Sequence, residues 1–135
     1  MPDRKETNRI IIHCSATHPK LDIGVKDIDS WHKAKGWSGC GYHYVLRRDG
    51  TEEIGRPYHQ IGAHTMSHNE DSIGICVVGG VDAYNNPEFN FTKVQMDALY
   101  SLVTSLRHLT GASVHGHNEF SSKACPSLNV QEYFK

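Results

Sequence analysis

The sequence predicts an α/β fold in which a central mixed sheet of about five strands is flanked by helices. Two nearly continuous apolar runs, at residues 9–13 and 72–78, are typical of strands buried on both faces. A third pattern, over residues 92–110, has the period of an amphipathic helix that covers such a sheet. With 135 residues the chain can bury the core of one domain. We therefore expect a single domain over residues 1–135, in which residues 1–8 are a polar leader.

Composition narrows the class of protein. The chain has 14 Lys and Arg against 15 Asp and Glu, so its net charge of -1 does not favour nucleic acid or an anionic membrane as partner. Residues 1–8 contain no apolar signal segment, and no later run approaches the ~18 apolar residues of a membrane span. We expect synthesis in the cytoplasm without a signal peptide or membrane insertion. The four cysteines form no CxxC pair and should be free thiols, whereas ten histidines favour a metal site.

The first third of the chain should contain a strand, a helix and a second strand. Residues 9–13 predict the first strand. A helix should open at Gly24 and place Val25, Ile28, Trp31 and Ala34 on one buried face. After a glycine-rich loop, residues 42–47 are rich in strand-forming side chains. The Asp49-Gly50 pair is typical of a hairpin turn, so residues 51–54 should return antiparallel.

The middle of the chain should alternate a long loop, a central strand and the longest helix. Residues 55–71 lack apolar periodicity, and loops of this length are often functional. Residues 72–78 should lie beside the first strand. Thr92 and Gln95 form a capping-box pattern, and Gly111 is a typical C-cap. The predicted apolar stripe of this helix comprises Val94, Ala98, Leu99, Leu102, Val103, Leu106 and Leu109.

The C-terminal part predicts a short strand, a loop and a terminal helical turn. Residues 112–114 are the strand, and residues 115–126 fit neither amphipathic period. Asn129 with Glu132 resembles a second helix cap, after which Val130, Tyr133 and Phe134 can pack inward.

The loop at residues 115–126 holds two candidate metal ligands, His117 and Cys125. They are eight residues apart, so a loop can bring both to one soft divalent ion such as zinc. The best third donor is His13, which the first strand would hold rigidly. Three protein ligands leave a fourth position for water whose pKa falls toward ~7, and amide or ester hydrolysis is the natural reaction. Taken singly, each of these residues is more often packed or exposed than bound to metal.

Two further side chains are candidates for the reaction itself. Lys123 precedes Cys125 by two residues, so both face the same side if that segment is extended, and its ammonium can stabilise an oxyanion. Tyr42 stands where a strand begins and can aim its hydroxyl into a cleft. The alternatives are a solvated lysine and a tyrosine that only packs.

Short motifs in a fixed order carry a family resemblance. They are HCSAT at 13–17, GYHY at 41–44, RDG at 48–50, GAH at 62–64, SIGI at 72–75 and KACP at 123–126. Together they resemble the zinc-dependent N-acetylmuramoyl-L-alanine amidases of type 2, the superfamily shared by phage endolysins and peptidoglycan recognition proteins. WHKAKGW at 31–37 and VVGGVD at 77–82 bring the resemblance nearest to the small lysozymes of T-odd coliphages.

The resemblance implies a role for each candidate residue. One Zn²⁺ would be bound by His13, His117 and Cys125, with Tyr42 and Lys123 as the catalytic pair. His64 would line the groove for the muramyl-peptide. The implied reaction cleaves the amide between the lactyl group of N-acetylmuramic acid and L-alanine in peptidoglycan. Glu119 lies two residues after a ligand and is interpreted as support for that histidine rather than as the base.

The resemblance also implies partners and a place of action. We expect a monomeric endolysin that waits in the host cytoplasm and lyses the bacterial wall after release. A second hypothesis is inhibition of the phage RNA polymerase, which the T-odd relatives bind. A third is a non-catalytic peptidoglycan-binding module, but such members usually lose the Cys ligand or the Tyr, and both Cys125 and Tyr42 are present.

Overall fold

Strand β1, Arg9–Cys14, is the inner strand from which the sheet of this protein extends in both directions. In a computed structural model, which describes residues 2–135, the other strands are β2 (Tyr44–Leu46), β3 (Glu52–Ile54), β4 (Ser72–Val77) and β5 (Ser113–Gly116). Their order across the sheet is β3-β2-β4-β1-β5. All neighbours are parallel except the β2–β3 pair, which is antiparallel. The predicted mixed sheet of five strands is confirmed.

Burial on both faces explains the apolar run in β1. Ile10, Ile11 and Ile12 have no exposed surface, and the strand pairs in parallel with β4 on one side and β5 on the other. Successive side chains therefore enter opposite layers of the core, and none of these three isoleucines contacts solvent. The prediction that residues 72–78 lie beside the first strand is also confirmed, with Ile11 opposite Gly74.

The α-helices of the described residues are α1 (Val25–Ala34), α2 (Lys93–Thr110) and α3 (Val130–Tyr133). The predicted caps are present. Thr92 accepts a hydrogen bond from the Gln95 backbone while the Gln95 side chain accepts from Thr92, and Gly111 ends α2 in the left-handed conformation at φ 72°.

The helices bury partly different residues from those predicted, because each is rotated about its axis. Val94 and Leu109 of α2 are 51% and 70% exposed, whereas Gln95 and Met96 are buried. Hydrogen bonds explain this difference in α2. The Gln95 amide donates to the carbonyl oxygens of Leu46 and Val78, and these bonds turn Gln95 toward the sheet. In α1, Trp31 is exposed and His32 takes the buried position. In α3, Val130 is buried and Phe134 packs against the core, but Tyr133 is exposed.

Residues 2–8, which belong to the predicted polar leader, form hydrogen bonds with the rest of the domain. The Arg4 backbone donates to the carbonyl of His59, and its guanidinium donates to the carbonyls of Tyr58 and Gln60. These contacts fasten the start of the chain to the loop that precedes β4. Within residues 2–135, no helix has both the length and the apolar character to cross a bilayer.

Strand β2 is shorter than predicted. Residues 42 and 43 lie before it and bond to the loop at residues 55–71 as well as to β4. The His43 backbone donates to the Gly74 carbonyl and accepts from Gly55, and the Tyr42 carbonyl accepts from Arg56. This wide network brings the loop at residues 55–71 over the parallel strands.

Candidate metal centre

His13, His117 and Cys125 come together in one cluster. One donor atom from each lies within 4.8 Å of the other two. His13 stands near the end of β1, and His117 begins the turn that follows β5, the parallel neighbour of β1. Parallel strands finish at the same edge of a sheet, which explains how residues 104 positions apart become adjacent, with ring centroids 4.5 Å apart.

Cys125 reaches this edge from the loop before α3. Its sulfur lies 4.0 Å from Nδ1 of His13 and accepts a hydrogen bond from the Cys14 backbone N–H, with N···S 3.2 Å. Pro126 after it is buried, and the Ser127 hydroxyl donates to the Gly80 carbonyl, so the segment that follows the ligand is held in place. Sequence reasoning did not find the contribution of the Cys14 backbone, since a main-chain donor leaves no trace in residue type.

The protonation of these three donors suits a divalent metal. Burial lowers the pKa of both His13 and His117, and the neighbouring Lys123 lowers each further, so the rings offer neutral nitrogens. The adjacent Cys14 thiol and burial raise the pKa of Cys125, so a metal must displace a proton from that sulfur. Two imidazoles and a thiolate with room for a further ligand form a donor set typical of catalytic zinc.

The far side of the His13 ring is also occupied. Its Nε2 lies 2.9 Å from Nδ1 of His64 and 3.2 Å from the Thr65 hydroxyl. His13 therefore directs Nδ1 toward Cys125 and Nε2 toward the loop at residues 55–71. His64 also lines a cavity beside the cluster, and its contact with a metal-ligand candidate was not predicted. Neither was the contact from Thr65.

A cavity of about 650 Å³ opens beside the cluster. Its lining residues are Trp37, Ala63, His64, Thr65, Met66, Asn69, His117, Phe120, Ser121 and Lys123. Lys123 is exposed on its wall, although residues 121–123 bend rather than continue as the extended segment we expected. The cavity thus brings the lysine ammonium to the same space as His117.

Tyr42 packs beside the ring of His13. The two ring centroids are 5.1 Å apart, and the tyrosine packs against the smaller core cluster beneath α1. Burial raises the pKa of Tyr42 well above its usual value, and nearby cysteines raise it further. The phenol therefore keeps its proton at neutral pH and acts as a hydrogen-bond donor.

Glu119 is fully engaged within its own turn. Its carboxylate accepts from the Gly116 backbone at 2.7 Å and from the Gln131 amide, and pairs with His115 at 2.9 Å. Burial alone would raise the pKa of Glu119, but these hydrogen bonds outweigh it and lower the pKa. The contacts do not include the ring of His117, so Glu119 supports the ligand through the backbone of the turn rather than through the imidazole.

The protein closely resembles known amidases. A family model described as N-acetylmuramoyl-L-alanine amidase matches residues 3–128. The endolysin of Klebsiella phage KP32 is 47% identical over 133 residues, which cover 98% of this chain and 88% of that protein. The endolysin of Escherichia phage T7 is 44% identical with the same coverage.

The likeness extends to three dimensions. The endolysin N-acetylmuramoyl-L-alanine amidase LysCS from Clostridium intestinale superposes with a TM-score of 0.85 at 29% identity, over 98% of this chain and 86% of that one. Sequence family, relatives and fold agree with the motifs and with the cluster at the sheet edge. The chain belongs to the N-acetylmuramoyl-L-alanine amidase family.

Proposed function

We propose that this protein is a zinc-dependent endolysin that hydrolyses the amide between N-acetylmuramic acid and L-alanine in peptidoglycan. The observation that carries the proposal is the cluster of His13, His117 and Cys125 on the edge of a cavity that also contains Lys123. A structural zinc site would close the coordination and would not need a cationic cavity beside it. One zinc ion is the cofactor that this donor set fits.

The residues of the chain divide the chemistry among them. Zinc, when bound by the three donors, would supply a Lewis acid and a water of lowered pKa. The Lys123 ammonium faces the cavity and stabilises negative charge that develops on the carbonyl oxygen of the scissile amide. Tyr42, with its proton retained, donates a hydrogen bond to the reacting water or the carbonyl oxygen. Glu119 is excluded as base in this scheme because its carboxylate is already occupied by the turn.

His64 completes the proposed substrate groove. It lines the cavity together with Trp37 and Phe120, whose aromatic faces offer apolar area to a sugar or a peptide stem. We expect the glycan strand to run along this groove, with the lactyl carbonyl presented toward the metal cluster.

A wall-clearing assay with product analysis tests this function. Purified peptidoglycan is incubated with the protein before chelation, after chelation and after zinc is restored, and the new ends are identified by mass spectrometry. Free L-alanine amino termini that appear only with zinc are the expected result. A folded, zinc-loaded protein that releases no such ends would contradict the proposal.

Two finer expectations accompany it. As an endolysin, the protein would be made in the host cytoplasm and would reach the wall after release. Binding to a phage RNA polymerase remains a prediction based on resemblance alone, and a pull-down with the purified polymerase tests it independently of wall hydrolysis.

A further inference from the structure

His13 has two ring nitrogens, and only one can bind a metal while the other carries a hydrogen. Nδ1 is the nitrogen that lies 4.0 Å from the Cys125 sulfur, so metal binding there requires the hydrogen to be on Nε2. That N–H needs an acceptor, and Nδ1 of His64 lies 2.9 Å away. His64 can accept only in the neutral form that carries its own hydrogen on Nε2.

The next residue in the series is Ser72, the first residue of β4. Its hydroxyl lies 3.2 Å from Nε2 of His64 and 2.6 Å from the carbonyl oxygen of His68. A carbonyl oxygen only accepts, so the single hydroxyl hydrogen of Ser72 goes to His68. The Ser72 oxygen is therefore left as an acceptor for the His64 N–H. In this series the hydrogens lie on Nε2 of His13, on Nε2 of His64 and on the Ser72 hydroxyl. The lone pair on Nδ1 of His13 is then free to bind a metal.

The backbone around His64 is shaped for this one ring position. A Cβ atom on Gly74 would lie 2.5 Å from Cγ of His64, and one on Gly62 would lie 2.7 Å from its Cδ2, so the ring lies flat against two glycines. The Asn69 side chain accepts from the backbone N–H groups of both His64 and Thr65, at 2.8 Å each. The ring thus spans the face of β4 between Ser72 and His13 with little freedom to turn.

We propose that Ser72 is a positioning residue that, through His64, holds His13 in the tautomer that binds zinc. This deepens the proposed function and rests on it, because it concerns the same metal centre. Ser72 is fully buried and lies away from the cavity lining, so it acts on the centre through the hydrogen-bond series rather than by touching substrate. It also gives a physical role to the SIGI and GAH motifs, which bring Ser72, Gly74 and His64 together.

Zinc affinity, measured by competition with a chelator, is the first test. Ser72→Ala should bind zinc about tenfold more weakly, the lower end of the effect of losing a partner behind a ligand histidine. Thr110→Val, which also removes a hydroxyl that donates to a backbone carbonyl, is the matched control and should keep the parent affinity. Unchanged affinity in Ser72→Ala would overturn the proposal.

A double-mutant cycle separates positioning from general loss of packing. If Ser72 acts through His64, then Ser72→Ala should have no further effect on zinc affinity in a His64→Ala background. If the losses of zinc affinity in the two single variants add up in the double variant, Ser72 does not act through His64 and the proposal is overturned. The Thr65 hydroxyl lies near the same bond, so a loss of affinity in Thr65→Val with none in Ser72→Ala would assign the role to Thr65 instead.

The tautomers can also be observed directly. Long-range ¹H–¹⁵N spectra of the zinc-loaded protein should show His64 and His13 each with hydrogen on Nε2, and the His64 preference should be lost in Ser72→Ala. Hydrogen on Nδ1 of His64 in the parent would contradict the series. A parent protein that binds no zinc would instead overturn the proposed function itself, so the two failures are distinguishable.

Discussion

The backbone N–H of Cys14 points at the sulfur of Cys125, 3.2 Å away, across 111 residues of sequence. Two successive residues of β1 therefore serve the metal centre: His13 with its ring and Cys14 with its main chain. A hydrogen bond to sulfur favours the thiolate that metal binding requires. Both contributions come from an inner strand that is paired with neighbours on its two sides.

The ligand residues should be indispensable for zinc. We expect Cys125→Ser and His13→Ala each to weaken zinc binding at least ~100-fold and to abolish wall lysis, because two donors remain where three are needed. Chelator competition and the clearing assay measure both effects. Cys40→Ser is the matched control, since it changes another buried cysteine and keeps a hydroxyl able to donate to the Tyr42 carbonyl. Parent-like zinc affinity in Cys125→Ser would remove that residue from the centre.

Lys123 should matter for turnover but not for metal binding. Lys123→Ala is expected to retain zinc and to lose activity by about 10²- to 10³-fold, the effect of losing one group that stabilises an oxyanion. Zinc content and initial rates of amide cleavage are the measurements. Lys93→Ala, which removes an exposed lysine that pairs with Asp97 on α2, should keep the parent rate. If Lys123→Ala lyses walls at the parent rate, Lys123 does not stabilise the oxyanion.

Tyr42→Phe tests the hydroxyl alone. Because the ring remains packed beside His13, the variant should fold and bind zinc normally while activity falls by about 100-fold. Rates at saturating and limiting substrate would show whether the loss lies in the chemical step. Tyr84→Phe removes an exposed hydroxyl and serves as control. If Tyr42→Phe retains full activity, the tyrosine only packs.

Stability should fall in mild acid because of His43. Burial lowers the pKa of His43 to about 4, whereas an unfolded histidine titrates near 6.5. Between these values the unfolded chain binds more protons, so the contribution is complete above about pH 6.5 and is lost as pH falls toward 4. Its share of the loss between pH 7 and pH 5 is about 2 kcal/mol.

Urea unfolding of the chelated protein at pH 7 and pH 5 measures that share. His43→Gln keeps an acceptor for the Gly74 N–H and a donor for the Gln60 carbonyl, and should lose about 2 kcal/mol less than the parent on acidification. His108→Gln, on the exposed side of α2, should behave as the parent. An identical pH dependence in His43→Gln would show that other groups dominate.

Glu119 should act on the turn that carries His117. Glu119→Gln weakens hydrogen bonds from the Gly116 backbone and from Gln131, and we expect about 2 kcal/mol lower stability with a modest loss of zinc affinity. Thermal unfolding with and without zinc measures both. Glu132→Gln, an exposed acid on α3, is the control. Loss of catalysis with stability and zinc binding intact would instead support Glu119 as the base.

Several parts of this protein follow from the sequence by itself. The consecutive isoleucines of β1 predicted a doubly covered strand because only such a strand has no face for a polar residue. The Asp49-Gly50 turn and the caps of α2 and α3 are local features, so local chemistry predicted them. The types and spacing of His13, His117 and Cys125 predicted a candidate donor set for a metal, and the motifs predicted the family, which the family match confirms.

The tertiary structure decided what depends on distant partners. Helix α2 is rotated because the Gln95 side chain binds two strand carbonyls. The sequence placed Val94 in the core instead, because a glutamine such as Gln95 is usually exposed. The attachment of residues 2–8 depends on carbonyl oxygens of a loop more than fifty residues away. The proposed hydrogen-bond series from Ser72 to His13 depends on which atoms meet in the folded chain. A backbone donor leaves no trace in residue type, and the tautomer of a histidine depends on its neighbours, so neither follows from the sequence alone.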